Sequence, residues 1–288
     1  MKIIDIINNN EVTISFEVFP PKTDDKFEVV EEAAKKIAAL HPHFMSVTYG
    51  AGGGTSQHTA NIAAGLQDKY NTPVLAHLTC VSNTKEDIKQ LVKHYEEIGI
   101  ESIMALRGDI PKDGRTCHDY NYAAELIRDI KAINPNLCIG AACYPEGHVE
   151  CDRQSIDIQH LKEKVDAGAD FLTTQMFFDN DYLYNFLYKI RTAGITVPVV
   201  AGIMPITKKQ QVARSVALSG STVPQRFRRM VDRFGDNEDK MKQAGIIYAT
   251  EQIIDLIANG VNNIHVYSMN KPEIAAGIME SLSNIISL

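Results

Sequence analysis

The sequence predicts a (β/α)8 barrel, the TIM-barrel class of α/β fold, with an extra helical segment before strand eight. Eight short apolar runs alternate with amphipathic stretches of helical period along the chain. The length of 288 residues suits such a barrel. Polar residues also follow nearly every apolar run, and a barrel would gather these residues on one face. A doubly wound open sheet is the alternative architecture.

The eight apolar runs have the length and composition of buried parallel strands. In chain order they are VTISFEVF (12–19), FMSVTYG (44–50), VLAHLTC (74–80), SIMALRG (102–108), LCIGAACYP (137–145), FLTTQMFF (171–178), VVAGIMP (199–205) and IHVYSM (264–269). Each run is predicted to form one strand of the barrel.

The segments between these runs carry apolar residues near a period of 3.6, which is typical of helices packed on a sheet. The main helical candidates are Lys26–Leu40, Thr84–Ile98, Tyr120–Ile133, Ser155–Ala167 and Tyr182–Ala193.

A longer segment, Ser219–Gly260, precedes the last strand. Its polar stretch RFGDNED (233–239) lies between two helical patterns, so we interpret the segment as an insertion and not as a second domain. Residues 1–288 are predicted to form a single barrel domain.

Composition excludes several classes of function. The net charge of −7 argues against a general binder of nucleic acid or of anionic membranes, since both need a basic face. No stretch approaches the roughly 20 apolar residues of a membrane span, and MKIIDIINNN is a poor signal peptide.

The five cysteines are odd in number and form no CxxC pair, which indicates free thiols in a reducing cytoplasm. Cys138, Cys143 and Cys151 lie near His148, so a metal site is conceivable. Cys138 and Cys143, however, fall within a strand-like run, where a small buried thiol is the commoner role.

Glu17 is the acid of greatest interest, because it stands inside an apolar strand that two prolines terminate. Strand alternation sends Phe16 and Val18 to the helix layer and Glu17 into the barrel. A buried carboxyl group tends towards a raised pKa, which suits a general acid near neutral pH. A structural ion pair with an arginine such as Arg107 is an equally weighted interpretation of the strand position alone.

Other candidate motifs have weaker independent meaning. The glycine-rich segment GAGGGTSQHT (50–59) fails the dinucleotide-binding spacing, because Thr55 stands where the third glycine is required. It is better interpreted as a loop that lets a ligand approach backbone N–H groups. Arg107 and Asp109, at a strand end, fit either an ion pair or contacts to a phosphate and a second ligand. His77 and His148, taken alone, are more often structural. HExxH, GxSxG and P-loop motifs do not occur in the chain.

Taken together, these residues resemble the methylenetetrahydrofolate reductases, specifically the short bacterial type with only a catalytic barrel. The matching segments are SFEVFPPK (15–22), SVTYGAGG (46–53), HLTC (77–80), ALRGD (105–109), YPEGH (144–148), KVDAGAD (164–170), TQMFFD (174–179), GIMPI (202–206) and HVYSMN (265–270). They run in order over almost the whole chain, and their combination is specific.

The resemblance implies a flavin-binding (β/α)8 barrel that reduces 5,10-methylenetetrahydrofolate to 5-methyltetrahydrofolate in one-carbon metabolism. NADH or NADPH would reduce FAD and leave before the folate binds, which is ping-pong order. By motif, Glu17 is the general acid that helps to open the folate ring to an iminium ion. Asp109 would tune the flavin and favour the cation. Substrate contacts are implied for Gln175, Asp109, Gln211 and Lys271.

The resemblance also implies a set of FAD contacts in which Arg107 and Lys164 bring charge to the diphosphate. This set is Thr48, Tyr49, Ala51, His77, Arg107, Gly108, Asp109, Tyr122, Ala123, Tyr144, His148, Asp157 and Lys164. The chain departs from the family pattern at Cys151, His160, Glu163, Met269 and Lys271. Lysine at 271 keeps the charge of the usual arginine but loses its planar fork.

The expected partners are methylenetetrahydrofolate and NADH or NADPH, in a cytoplasmic homo-oligomer with no nucleic acid, membrane or metal. Two alternatives stay open. The chain could be the catalytic subunit of a redox complex that receives electrons from a partner protein. It could also be a flavin-free folate-binding methyltransferase barrel, which would not need Arg107 or the Tyr144–His148 segment.

Overall fold

Eight parallel strands close into a barrel in strict chain order, β1-β2-β3-β4-β5-β6-β7-β8. The computed structural model describes residues 1–21, 24–49, 56–110 and 116–286. The strands are β1 (Thr13–Val18), β2 (Phe44–Val47), β3 (Val74–Thr79), β4 (Ser102–Leu106), β5 (Cys138–Cys143), β6 (Phe171–Thr174), β7 (Val199–Ile203) and β8 (Asn263–Val266). All eight predicted strands are confirmed, as is the predicted fold class. The barrel closes where β1 pairs with both β2 and β8, with Ser15 beside Phe44 and His265.

Helices follow the strands as the sequence predicts. The described residues contain α1 (Ile3–Asn9), α2 (Phe27–Ala38), α3 (Ser56–Tyr70), α4 (Lys85–Glu97), α5 (Ala123–Ile133), α6 (Gln154–Asp166), α7 (Asn180–Thr192), α8 (Lys209–Ser219), α9 (Gln225–Phe234), α10 (Glu238–Ala258) and α11 (Pro272–Leu282). The five predicted helices correspond to α2, α4, α5, α6 and α7, and their ends differ by at most three residues.

Strand alternation divides the apolar residues into two cores. Outward-facing residues such as Ile14, Phe16 and Val18 are fully buried against the helix layer. Inward-facing residues such as Phe44 and Phe171 fill the lower barrel in a separate cluster. Since Glu17 alternates with Phe16 and Val18, the predicted inward direction of its side chain is confirmed.

Helix α1 was not predicted. Ile3, Ile6 and Ile7 from this helix are buried in the lower barrel cluster. The backbone N–H of Ile3 donates to Ser102 Oγ at 3.0 Å, at the first residue of β4. The helix thus covers the N-terminal end of the barrel. Seven residues are too few for the helical period to stand out in the sequence.

The segment between β7 and β8 contains α8, α9 and α10, which confirms the predicted helical insertion. RFGDNED includes the break between α9 and α10. Gly245 lets α10 approach the carbonyl of Ile206, where any side chain would collide with that oxygen. This close approach holds α10 against the loop after β7, at the C-terminal end of the barrel.

No helix in the described part of the chain is long and apolar enough to cross a membrane. All five cysteines are free, as predicted, and Cys80, Cys138 and Cys143 are buried. Burial raises the pKa of the Cys138 thiol to about 11, so it stays protonated at neutral pH.

Candidate active site

Two adjoining cavities open at the C-terminal ends of the strands, the face where barrel enzymes place their active sites. Their volumes are about 300 and 390 Å³, which is within the usual range for small-ligand pockets. Leu106, Ala142 and Tyr144, at the ends of β4 and β5, line both cavities. Ligands in the two cavities would therefore lie against a shared wall.

The apolar cavity is the larger one and contains Glu17. Its wall includes the apolar side chains of Met176, Met204, Leu218 and Met269. The described polar groups around them are Glu17, His77, Tyr144, Thr173, Thr174, Gln175, Gln211, Arg214, Ser215 and Tyr267. Flexible thioethers let such a wall adapt to more than one ligand.

Glu17 lies near the end of β1, and only 17% of its side chain is exposed. No described residue forms a hydrogen bond with its carboxyl group, since the nearest polar contact is His77 Nε2 at 3.9 Å. Burial raises the pKa of Glu17 from 4.5 to about 7. The carboxyl group therefore keeps its proton to near neutral pH and can donate it within the cavity.

Two histidines near Glu17 are neutral, namely His77, which faces it, and His265, which lies in the layer beneath. Burial lowers the pKa of His77 to about 4, and burial together with His77 lowers that of His265 to about 3. His265 Nδ1 lies 2.8 Å from Ser15 Oγ, which donates to the carbonyl of Ile264, so we assign the proton to Nδ1. Ser46 Oγ, 3.1 Å from Nε2, then acts as a donor.

Tyr267 follows β8 and lies over Gly202 of β7. Its hydroxyl donates to the carbonyl of Thr174 at 2.7 Å. A Cβ at Gly202 would stand 2.6 Å from this hydroxyl and would also meet the Thr174 carbonyl. Burial and the nearby Glu17 raise the pKa of Tyr267 well above its usual value. The Tyr267 hydroxyl therefore stays protonated, and the side chain forms an uncharged part of the cavity lining.

Asn270 connects the turn after β8 to the end of β1. Its Oδ1 accepts from the Phe19 N–H at 2.9 Å, and its Nδ2 donates to the Phe19 carbonyl at 2.8 Å. Met269 and Asn270 both have positive φ, at 57° and 54°. Two successive residues in this sparsely populated region indicate a turn held by its surroundings, with Met269 directed at the cavity.

Gln175 and Gln211 both line the apolar cavity. The Oε1 of Gln175 accepts from the Met176 N–H at 2.9 Å. The Oε1 of Gln211 accepts from the Thr207 and Lys208 N–H groups, both at 2.9 Å. Because these oxygens are occupied, the Nε2 groups are the available ends, and they suit carbonyl or carboxylate acceptors. The structure thus brings these two predicted substrate contacts together with Glu17.

The second cavity, which we call the cationic cavity after Arg107 and Lys164, lies between the ends of β4 and β5 and the helices α5 and α6. The carboxylates of Glu150, Asp157 and Glu163 also line it. Seven predicted FAD contacts line it, namely Arg107, Tyr122, Ala123, Tyr144, His148, Asp157 and Lys164. Lys164 Nζ donates to the Ala142 carbonyl at 2.9 Å and lies 5.8 Å from the ring centre of Tyr144. Since burial lowers the pKa of Lys164 and one acceptor uses only one of its three protons, this ammonium suits an anionic ligand.

Arg107 is paired with Glu150, not with Glu17. Its Nη1 and Nη2 donate to the two carboxylate oxygens of Glu150 at 2.7 and 3.0 Å. The interpretation of Glu17 as the ion-pair partner of Arg107 is therefore wrong, because the guanidinium points into the other cavity. This bidentate pairing is the geometry in which arginine also binds phosphate.

Several predicted contacts lie outside both cavities. Thr48, Tyr49, Gly108 and Asp109 do not line either one, and Asp109 is exposed after β4. Lys271 lies at the N-terminus of α11 and is also outside the two linings. Ala51 falls outside the described residues. His77 lines the apolar cavity and not the cationic one.

Sequence reasoning missed several residues that line the cavities. Arg214, Ser215 and Leu218 come from α8, and no strand-end pattern marks them. Glu150 lies in the loop after YPEGH, where only its pairing with Arg107 reveals its position. His265 was visible within the HVYSMN segment, but its place beneath Glu17 depends on barrel closure between β1 and β8.

Comparison with known proteins identifies the family. Residues 2–283 match the family model of methylenetetrahydrofolate reductase. The 5,10-methylenetetrahydrofolate reductase of Escherichia coli (strain K12) is 32% identical over 272 residues, which cover 94% of this chain and 91% of that protein. Methylenetetrahydrofolate reductase 1 of Schizosaccharomyces pombe is 36% identical over 277 residues, which cover 94% of this chain. The chain spans about half the length of this eukaryotic relative, since the match covers 46% of it.

Solved structures support the fold. A Clostridium thermocellum protein, described as binding two copies of 5-methyl-5,6,7,8-tetrahydrofolic acid, matches with a TM-score of 0.65. The match covers 99% of both chains at 15% identity, so it bears on the fold alone. Since the family model spans nearly the whole chain and the bacterial relative exceeds 30% identity, the chain belongs to the methylenetetrahydrofolate reductase family.

Proposed function

We propose that this protein reduces 5,10-methylenetetrahydrofolate to 5-methyltetrahydrofolate, with FAD as cofactor and NADH or NADPH as electron donor in ping-pong order. Family membership supports the reaction. The observation that supports the mechanism best is the shared wall between two unlike cavities. One cavity contains a buried acid with a pKa of about 7, and the other contains cations and aromatic rings.

The cationic cavity fits FAD by the chemistry of its donors. Arg107 and Lys164 would hold the diphosphate, and Tyr122 and Tyr144 offer aromatic surface. Lys164 keeps N–H donors that the protein does not use, and burial lowers its pKa. A bound anion would therefore stabilise its charged form. When bound, FAD supplies the hydride transfer.

Glu17 would perform the proton chemistry of folate reduction. Its protonated carboxyl group would donate to the bridging nitrogen of the folate, which assists ring opening to the iminium ion. The neutral His77 and His265 leave the proton on Glu17, because neither offers a cation that would stabilise the carboxylate.

The amide N–H groups of Gln175 and Gln211 would orient the ligand in the apolar cavity. Amide carbonyls occur in both the nicotinamide and the pterin, so the same donors suit either molecule. Alternate use of one cavity by two ligands would give ping-pong order, because the first must leave before the second can bind. The methionine side chains of the wall would adapt to each ligand in turn.

Electrons delivered by a partner protein are the second candidate mechanism. Arg107, Tyr144 and His148 line the cationic cavity, which favours a flavin over the flavin-free methyltransferase. The same cavity fits a flavin that a partner reduces, so the source of electrons requires a direct test.

Purification followed by anaerobic stopped-flow spectroscopy tests the proposal. We expect a yellow protein whose flavin is bleached by NADH or NADPH and reoxidised by methylenetetrahydrofolate. A protein that takes up no FAD would contradict the flavin mechanisms. A flavin that dithionite reduces but neither nicotinamide reduces would favour the partner mechanism.

A further inference from the structure

Arg214 is a cation at the exposed edge of the apolar cavity. It lies on α8, its side chain is exposed, and it lines the same cavity as Glu17. Within the part of the chain that the structure describes, its guanidinium forms no hydrogen bond or ion pair. Of the other described arginines, Arg107, Arg191, Arg226 and Arg228 have hydrogen-bond partners. Among the described arginines without one, Arg214 alone lines either of the two cavities.

Arg214 belongs to one wall of the cavity. Gln211, Arg214, Ser215 and Leu218 are spaced at i, i+3, i+4 and i+7 on α8, so they share a face of the helix, and all four line the cavity. Gln211, one turn before Arg214, presents its Nε2 because its Oε1 caps the helix. The wall therefore offers an amide N–H and a guanidinium to the same ligand.

Charge is distributed unevenly through the cavity. His77 is neutral. Among the described lining residues, Glu17 is therefore the acid and Arg214 is the cation. Glu17 lies deep, with 17% of its side chain exposed, whereas Arg214 lies at the exposed edge. A ligand whose reacting end contacts Glu17 would extend its other end towards α8.

We propose that Arg214, together with Gln211, binds the carboxylate groups of the folate's glutamate tail and selects for ligands that carry them. The inference rests on the proposed function, because folate supplies both the reacting ring for Glu17 and an anionic tail at the opposite end. A planar guanidinium matches a carboxylate in a bidentate geometry. Lys271, to which the resemblance assigns a folate contact, lies outside the described lining of this cavity.

The test compares binding of two ligands by calorimetry, 5-methyltetrahydrofolate and 5-methyltetrahydropteroate, which lacks the glutamate. Arg214→Gln should weaken binding of the folate roughly five-fold and leave that of the pteroate unchanged. Arg214→Lys keeps the charge and should recover part of the loss. Arg229→Gln, at an exposed position on α9 outside the cavity lining, is the matched control. Circular dichroism checks that each variant is folded.

The other outcomes separate this inference from the proposed function. Equal weakening of both ligands, or no weakening of either, would show that Arg214 does not bind the tail. A rise confined to the KM for NADH or NADPH would assign Arg214 to a dinucleotide phosphate and would overturn the inference. If the wild-type protein binds 5-methyltetrahydrofolate tightly but performs no reduction, the proposed function fails while the ligand comparison still decides the role of Arg214. If it binds no folate, both fail.

Discussion

Glu17 and His77 face each other inside the barrel, with 3.9 Å between Oε2 and Nε2. This distance is too long for a hydrogen bond. Burial raises the pKa of the carboxyl group to about 7 and lowers that of the imidazole to about 4. At pH 7 the carboxyl group of Glu17 is therefore about half protonated and the imidazole of His77 is neutral, so the titrating proton of the pair belongs to Glu17. The position of the proton on the acid, and not on the base, is what makes Glu17 a candidate donor.

Replacement of Glu17 by glutamine should separate the two half-reactions. Glu17→Gln removes the proton donor but keeps the size and polarity of the side chain. We expect flavin reduction by the nicotinamide to change less than about three-fold and folate reduction to fall by about 10³-fold. Anaerobic stopped-flow traces of each half-reaction provide the measurement. Equal losses in both half-reactions, in a folded variant, would contradict the assigned role.

The raised pKa of Glu17 also predicts how stability depends on pH. Below pH 4.5 this carboxyl group is protonated in both the folded and the unfolded chain. As pH rises from 4.5 to 7, the unfolded chain releases the proton and the folded chain keeps it, so the free energy of unfolding falls. The total loss is about 3 kcal/mol, from about 2.5 pKa units.

Denaturant unfolding of wild type and Glu17→Gln across pH 4.5–8 isolates this contribution, because all other groups cancel in the difference. We expect wild type to lose about 3 kcal/mol relative to the variant over this interval. Glu163→Gln, which changes an exposed glutamate on α6, is the control. A constant difference between wild type and Glu17→Gln would show that Glu17 is not buried in the folded protein.

The pairing of Glu150 with Arg107 predicts a competition with the cofactor. A diphosphate that uses the same two N–H donors of Arg107 must displace the Glu150 carboxylate, which accepts from both terminal guanidinium nitrogens. Glu150→Gln removes this competing charge and should tighten FAD binding roughly three- to five-fold, as expected for a partly exposed ion pair. Fluorescence titration of the apoprotein with FAD measures the change. Glu163 lines the same cavity without pairing with Arg107, so Glu163→Gln is the control that removes an equal charge. Weaker binding in Glu150→Gln would mean that Glu150 instead positions Arg107 for the cofactor.

Gly202 should tolerate no side chain. In Gly202→Ala the new methyl group would meet the Thr174 carbonyl and the Tyr267 hydroxyl and would separate these two hydrogen-bonded groups. We expect a loss of about 3 kcal/mol in the free energy of unfolding, from overpacking and from the broken hydrogen bond. Thermal and denaturant unfolding provide the measurement.

Gly65→Ala is the control for this prediction. Nothing lies within 4 Å of the added carbon in α3, so this change should be neutral or stabilising. A loss in Gly65→Ala equal to that in Gly202→Ala would contradict the steric explanation.

The sequence determined more of the fold than of the site. All eight strands were predictable, because buried parallel strands are nearly continuous apolar runs. Alternation along β1 also predicted that Glu17 points inward, since side-chain direction in a strand follows from a period of two. Helix α1 was not predictable, because three isoleucines in seven residues carry too little periodicity.

Tertiary structure decided which polar groups meet. Arg107 was equally suited to Glu17 and to a ligand, and only the folded loop after β5 shows that Glu150 holds it. Arg214 lies on a helix that the strand-end pattern does not mark, yet α8 brings it to the same cavity as Glu17. Local periodicity specifies the direction of a side chain along its own element, whereas partners distant in sequence depend on barrel closure and loop packing. The sequence by itself therefore determined an inward acid on a barrel strand, and the closed barrel decided that this acid faces a neutral histidine and shares its cavity with an arginine.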